Sequence, residues 1–272
     1  MLSQMNVVTS SGNSIVFPIF GATDGYVISN IKGLEPVKAS YSVTNFAGTD
    51  GVFISAGRQE GRNVVFDVKL FDTGKASIAS MRERLYQYVM PNTPVRLEFV
   101  ETTGRISYTA GWVESVETEL FTKTPTVSVS VLCMDPALYL KDGTVIEGMT
   151  TETVVETPLY YSGSMPTGFI FKMTAPRVVH DLELVITGPD HIKRDIDFGY
   201  EMVAGDELTI IGVSGSRAVR ILRNGSEINA LSGVIATTKW PIIKPGQNFV
   251  RVLMKGESAP YTLSYMTRIG GL

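Results

Sequence analysis

Asp50-Gly51-Val52-Phe53-Ile54-Ser55-Ala56-Gly57-Arg58-Gln59-Glu60-Gly61-Arg62-Asn63 runs on into Val64-Val65-Phe66-Asp67-Val68-Lys69-Leu70, and the fold turns on how this stretch is read. The second half alternates: Val64, Phe66, Val68 and Leu70 stand two apart, the period of a strand that buries one face. The first half reads as a loop, because Gly51, Gly57 and Gly61 allow backbone conformations that a β-carbon forbids. Arg58 and Arg62 lie between the two. A guanidinium on the approach to a buried strand makes planar, bidentate bonds to carboxylates or carbonyls. The residues alone leave two readings open: a glycine-rich loop with two solvated arginines, or a rigid contact offered to a neighbour.

Upstream, Ser14 to Phe20 (interrupted by Pro18, as suits an edge strand), Tyr26 to Ile31 and Val37 to Phe46 read as half-buried strands of one sheet or barrel. Downstream comes the one convincing helix. Thr73 or Ser77 caps it, and Ile78, Met81, Leu85, Tyr88 and Val89 recur at helical steps until Pro91 and Pro94 end it. Val95–Phe99 and Arg105–Thr109 flank Gly104 as a hairpin. Trp112 then heads a strand as a core or rim anchor, and Glu114, Glu117 and Glu119 follow as a wet strand face.

The alternation Val127, Val129, Val131 makes Cys133 a small buried hydrophobe, and a lone cysteine forms no internal disulfide. Residues 141–150 lose the alternation and carry a turn signal, so a first domain over 1–140, a linker over 141–150 and a second domain over 151–272 are expected. The second domain reads as strands with a turn every eight to twelve residues, the pattern of a β-sandwich or jelly roll. Asn224-Gly225 is its clearest tight hairpin. The fold class is mainly β: a sheet or barrel domain with one short α-helix, followed by a β-sandwich.

At 272 residues the chain is long enough for two cores. Net charge is −3, with 11 basic and 13 acidic groups in residues 1–140 and 13 and 14 in residues 141–272. Neither half is basic, which disfavours a phosphate-neutralising nucleic-acid surface. The first residues lack the basic start and apolar core of a signal peptide, and no apolar run approaches ~20 residues, so a soluble protein is expected.

Groups for catalysis are scarce. His180 and His191 stand in turn-like settings, and there is no His-Glu-x-x-His, nucleophile elbow or phosphate loop. Asp195, Asp197 and Glu201 alternate near Gly199 but lack the oxygens and turn of a calcium loop. No enzyme, cofactor or metal is expected.

An acidic-Gly pair, a phenylalanine soon after, Gly-Arg, Arg and an alternating strand resemble the amino-terminal signature of the distal tail protein family of long-tailed, siphovirus-type phages. The series continues through the helix to Leu85-Tyr86, Pro91, Pro94, Gly111-Trp112-Val113-Glu114 and Leu132-Cys133-Met134-Asp135-Pro136, over residues about 30–140. The second half resembles that family's galectin-like carboxy-terminal domain at Tyr160, Gly163, Gly205-Asp206 and Trp240 ahead of Pro245-Gly246-Gln247-Asn248.

The resemblance implies a virion structural protein, made in the host cytoplasm and placed at the tail tip or baseplate. There it forms a hexameric ring between the tail-tube protein and a tail-tip or hub protein. Asp50, Gly51, Phe53, Gly57, Arg58 and Arg62 would grip the next copy, and Glu114, Glu117 and Glu119 would line a channel through which DNA passes. The second domain would dock side-fibre or receptor-binding proteins. The alternative is a carbohydrate-binding adhesin of the tail; neither histidine stands in the sugar-binding pattern of true galectins.

Overall fold

The computed structural model describes residues 1–21, 24–48, 50–235 and 239–272. The chain forms two compact units, Met1–Lys141 with Ile269–Leu272, and Asp142–Arg268. Both are built from antiparallel strands, and the molecule is mainly β.

The first unit contains β1 (Leu2–Thr9), β2 (Ser14–Pro18), β3 (Tyr26–Lys32), β4 (Ala39–Thr44), β5 (Phe53–Gln59), β6 (Arg62–Leu70), α1 (Ile78–Val89), β7 (Pro94–Glu101), β8 (Ile106–Thr118) and β9 (Thr126–Cys133). Seven of its strands pair in the order β2-β1-β7-β8-β9-β6-β3. The two end strands meet through Phe17 and Tyr26, whose rings cross edge-to-face at 5.8 Å, so the sheet curls back on itself. The turn of the sheet is made in β8. Its first half pairs with β7 and its second with β9, and a bulge between Val113 and Ser115 bends it.

The inward face is the alternating set expected: Val64, Phe66, Val68 and Leu70 are fully buried against Met5, Val7, Leu97, Phe99, Val127 and Val129. Cys133 is buried among them. Helix α1 covers the open side with Met81, Leu85 and Val89, and the Tyr26 hydroxyl donates to the Met81 carbonyl at 2.8 Å. Ser77 caps it, accepting from the Ser80 amide.

Strands β4 and β5 stand apart, pairing only with each other as a two-stranded ribbon. This corrects two expectations. Residues 37–46 are not a half-buried strand of the barrel, and Phe53–Gln59 is a strand rather than a glycine loop. The glycine is there for a different reason: a β-carbon on Gly57 would lie 2.8 Å from the Tyr41 ring, which rests on that bare backbone.

The segment expected as a linker is also strand. β10 (Leu138–Met149) keeps extended geometry although its residues beyond Leu140 are mostly exposed, which is why they show no clear alternation.

The second unit holds β11 (Thr157–Tyr161), β12 (Ile170–Thr174), β13 (Leu182–Thr187), β14 (Lys193–Phe198), β15 (Glu207–Ile211), β16 (Ala218–Arg223), β17 (Ser226–Asn229), β18 (Gly246–Met254) and β19 (Pro260–Ile269). Two antiparallel sheets, β11-β18-β13-β14 and β17-β16-β15-β12-β19, enclose one core that includes Phe169, Phe171, Leu184, Ile196, Phe198, Ile210 and Val252. Asn224 and Gly225 take positive φ of 50° and 77° between β16 and β17, the tight turn their sequence demands. The Asn248 side chain donates to the carbonyls of Lys244 and Gly246 and accepts from the Lys244 amide, fixing the start of β18.

Candidate functional site

The sequence placed Arg58 and Arg62 together; the structure separates their roles. Arg62 is the first residue of β6 and shares the buried face of Val64 and Phe66. Its guanidinium donates to the carbonyl of Glu35 at 2.8 Å and to that of Pro136 at 2.7 and 3.1 Å, and also to the carbonyls of Gly33 and Gly270. At 1% exposure it is spent on its own chain and offers nothing to a neighbour. Burial pushes its pKa down, but four carbonyl oxygens facing the fork favour the charged form. Gly33, whose φ is 85°, is required at this hub because a β-carbon there would collide with the Asn63 carbonyl.

Arg58, by contrast, has an 81% exposed side chain, 3.8 Å from Glu60 on the ribbon. Asp50 and Gly51 form the ribbon tip, Gly51 at a φ of 99°, and Phe53 opens β5.

The pairing register sorts the ribbon's side chains. Val43 opposes Ile54 and Tyr41 opposes Gly57, with a bulge between Ser42 and Val43. Ala39, Tyr41, Val43, Ile54, Gly57 and Gln59 therefore share one face, apolar except for Gln59 at its end. Ser40, Ser42, Thr44, Phe53, Ala56 and Arg58 share the other. No residue of either strand is buried, and Tyr41, Val43, Phe46, Val52, Phe53 and Ile54 each remain more than half exposed. The Phe46 and Phe53 rings lie 6.1 Å apart. An isolated two-stranded ribbon is marginal in water by itself, and this one leaves six large apolar side chains open to solvent.

The three glutamates fall on the outside of the barrel. Glu114 is the bulged residue of β8, and its carboxylate accepts from the Ser130 hydroxyl at 2.9 Å. Three residues apart, Glu114 and Glu117 belong on opposite faces of a regular strand; the bulge turns both outward, with Glu119 exposed just beyond the strand. Trp112, expected as a core or rim anchor, is half exposed on the same outer surface, opposite Leu132.

In the second unit an open groove of about 830 Å³ is lined by Glu147, Lys172, Glu207, Thr209 and Thr262. Its aromatic residue, Tyr261, is buried beneath Gly148 and presents no face for a sugar ring to stack on. Asp195 and Asp197 point alternate residues of β14 outward opposite Val185 and Glu183. Among the described residues no group of three His, Cys, Asp or Glu could hold a metal ion, and no helix is long and apolar enough to cross a membrane.

No family model matches the chain, and no curated protein matches it. Among solved structures, the chain is similar to the SPP1 Dit protein, described as a paradigm of the hub adsorption apparatus in phages that infect Gram-positive bacteria. The TM-score is 0.69 at 16% identity, covering 97% of this chain and 98% of that one. Looser likenesses join it to the phage P2 baseplate in its activated conformation with Ca (TM-score 0.49, 11% identity, 97% and 98% covered). The same baseplate with Sr gives a TM-score of 0.47 at 12% identity, with 96% and 97% covered. The likeness to Dit spans nearly both chains, so the two proteins share a fold from end to end.

Proposed function

We propose that this chain is a structural protein of a phage tail. It forms a hexameric ring where the tail tube meets the baseplate or tip, between the tail-tube protein and a tail-tip or hub protein. The observation that carries the reading is the whole-length likeness to the SPP1 Dit fold. Three features of the chain support it: the bare apolar ribbon, the scarcity of acid–base groups, and an outward-facing acidic strand.

The ring closes through heterologous contacts, one patch meeting a different patch on the next copy. The ribbon carrying Asp50, Gly51, Phe53, Gly57 and Arg58 supplies one of the two patches. Glu114, Glu117 and Glu119 line the lumen and repel passing DNA. The second unit, a galectin-like sandwich in this reading, faces fibre or receptor-binding proteins, and the protein resides in the virion after synthesis in the host cytoplasm.

Light scattering and negative-stain images of the purified chain test the reading. Rings are expected; a monomer at every concentration, alone and beside its virion neighbours, would defeat it. Replacing the three glutamates by lysine is expected to leave rings intact and slow DNA ejection from assembled particles. Unchanged ejection would return them to the role of a wet strand face.

A further inference from the structure

We infer that the second unit carries a saccharide-binding groove on the outer face of β12, β15 and β19, and that its ligand is a neutral, hydroxyl-rich chain lying across the strands. The groove lies within one unit of one copy, so the inference stands apart from the ring reading above.

Parity builds the groove. Lys172 and Thr174 alternate with the buried Phe171 and Met173, Thr209 with Leu208 and Ile210, and Thr262 with Tyr261 and Leu263. One set packs into the sandwich core, so the other faces out. Register then lines the outward set into a row. Lys172 opposes Thr209 on one side and Thr262 on the other, Thr209 opposes Arg220, and Arg220 opposes Asn229. The row crosses the strands from β19 to β17, roughly 19 Å at ~4.8 Å per step. Around its Lys172 end the surface is concave. The volume there, about 830 Å³, falls in the ~300–1,000 Å³ range of ligand sites.

What sets this groove apart is charge left unused. Glu147, Lys172 and Glu207 share it, all exposed, and among the described residues none of the three makes an ion pair or a side-chain hydrogen bond. Elsewhere in the unit carboxylates are held: Glu183 by Lys193 at 2.7 Å, Asp190 by Arg194 at 2.6 Å, Asp206 by Arg223 at 2.6 Å. An ammonium only donates and a carboxylate only accepts, whereas a hydroxyl does both. One hydroxyl-bearing ligand therefore satisfies all three charges, and the threonine floor adds further bonds of the same kind.

Other ligand classes fit worse. An apolar molecule would strand the charges. A peptide strand needs free backbone groups, and β12, β15 and β19 each already have a neighbour on both sides. One cation against two carboxylates leaves the groove negative, which turns away phosphate and uronate chains. Met149 and Pro260 supply apolar surface for the C–H groups of a sugar in place of an aromatic face. With no ring to stack on, each groove holds its ligand weakly, and several copies in one particle would add through effective concentration.

The test uses the full chain and saturation-transfer NMR, which reads weak binding. The probes are neutral di- to tetrasaccharides of glucose, galactose and N-acetylglucosamine, with poly(glycerol phosphate) as the anionic control. Transfer to a neutral probe is expected, and none to the polyanion. Lys172→Ala with Glu207→Gln is expected to raise the Kd for that probe by about fivefold or more, the loss of two modest hydrogen bonds. The thermal midpoint should stay as in the parent, since both side chains are exposed. A parent chain that binds saccharide this way but never forms rings removes the ring reading and leaves the groove standing. No transfer to any neutral probe at millimolar concentration, or transfer to the polyanion alone, overturns the groove. Saccharide binding that the double variant leaves unchanged overturns it equally, and loss of a fibre or receptor-binding protein in that variant would then mark the groove as a protein dock.

Discussion

Arg62 carries a charge into the barrel wall, where most proteins put a hydrophobe. The arrangement holds because every carbonyl it meets lies outside the strands: in the turn at Gly33 and Glu35, at the exit from β9 at Pro136, and at Gly270 just past β19. Removing the guanidinium strands these acceptors, and an unsatisfied buried carbonyl costs ~1–3 kcal/mol. Arg62→Ala is expected to lower stability by about 3–5 kcal/mol in urea unfolding, summing a few such losses after partial relaxation. Arg62→Lys is expected to recover little, since an ammonium lacks the planar fork. Arg58→Ala should change the same measurement by less than ~0.5 kcal/mol, as for other exposed sites.

A second charged residue is tied to pH. Asp206 is buried, bonded to Arg223 at 2.6 Å and accepting from the Val203 amide. The Arg223 guanidinium and that amide hold its carboxyl below the usual range. A folded pKa below the unfolded one adds stability that is complete above about pH 4 and is lost as pH falls through the depressed value. Acid unfolding of the second unit should therefore be less steep in Asp206→Asn than in the parent. An identical pH profile would refute the link.

At the scale of elements, the proposed ring would make the ribbon separate folding from assembly. Its side chains touch little of their own barrel, so Tyr41→Ser with Ile54→Ser is expected to leave the thermal midpoint of the monomer nearly unchanged and abolish rings in light scattering. Intact rings would remove the ribbon from the interface.

The elements also show how far the residues could be read unaided. β6, α1 with its Ser77 cap, the β7–β8 hairpin and the Asn224-Gly225 turn all follow from period and turn chemistry. β1 escaped because Ser3, Gln4 and Asn6 dilute its alternation and only Met5 and Val7 are buried, although it lies between β2 and β7. In β14 the half-exposed Asp195 and Asp197 read as solvated acids, although Ile196 and Phe198 beside them are buried. Arg62 was legible after all: its even number continues the parity of Val64, Phe66, Val68 and Leu70 inward. Charge argued for the surface, and the burial pattern of β6 overrode it. The ribbon could not be found by pattern, since a strand exposed on both faces has no solvent-driven alternation to display.

On the whole-molecule scale, the second unit enters the chain after Lys141 and leaves it before Ile269. The last residues return to the first unit, where Ile269 joins the barrel core, Gly270 receives Arg62, and the Leu272 amide donates to Leu34 at 3.0 Å. Deleting Gly270–Leu272 is expected to speed amide exchange in β6 and the Gly33–Glu35 turn while β13 and β18 exchange as before. Uniform exchange across both units would contradict the separation.

The return of the tail to Arg62 sets an order of events during synthesis. When Lys141 has left the ribosome, the barrel has all its strands yet still lacks one acceptor for its buried arginine. That acceptor arrives only after the intervening residues are translated, a wait on the order of ten seconds at ~5–20 residues per second. The amino-terminal half, made first, is therefore finished last, and a nascent chain cut short anywhere in the sandwich carries a barrel whose arginine is never fully satisfied.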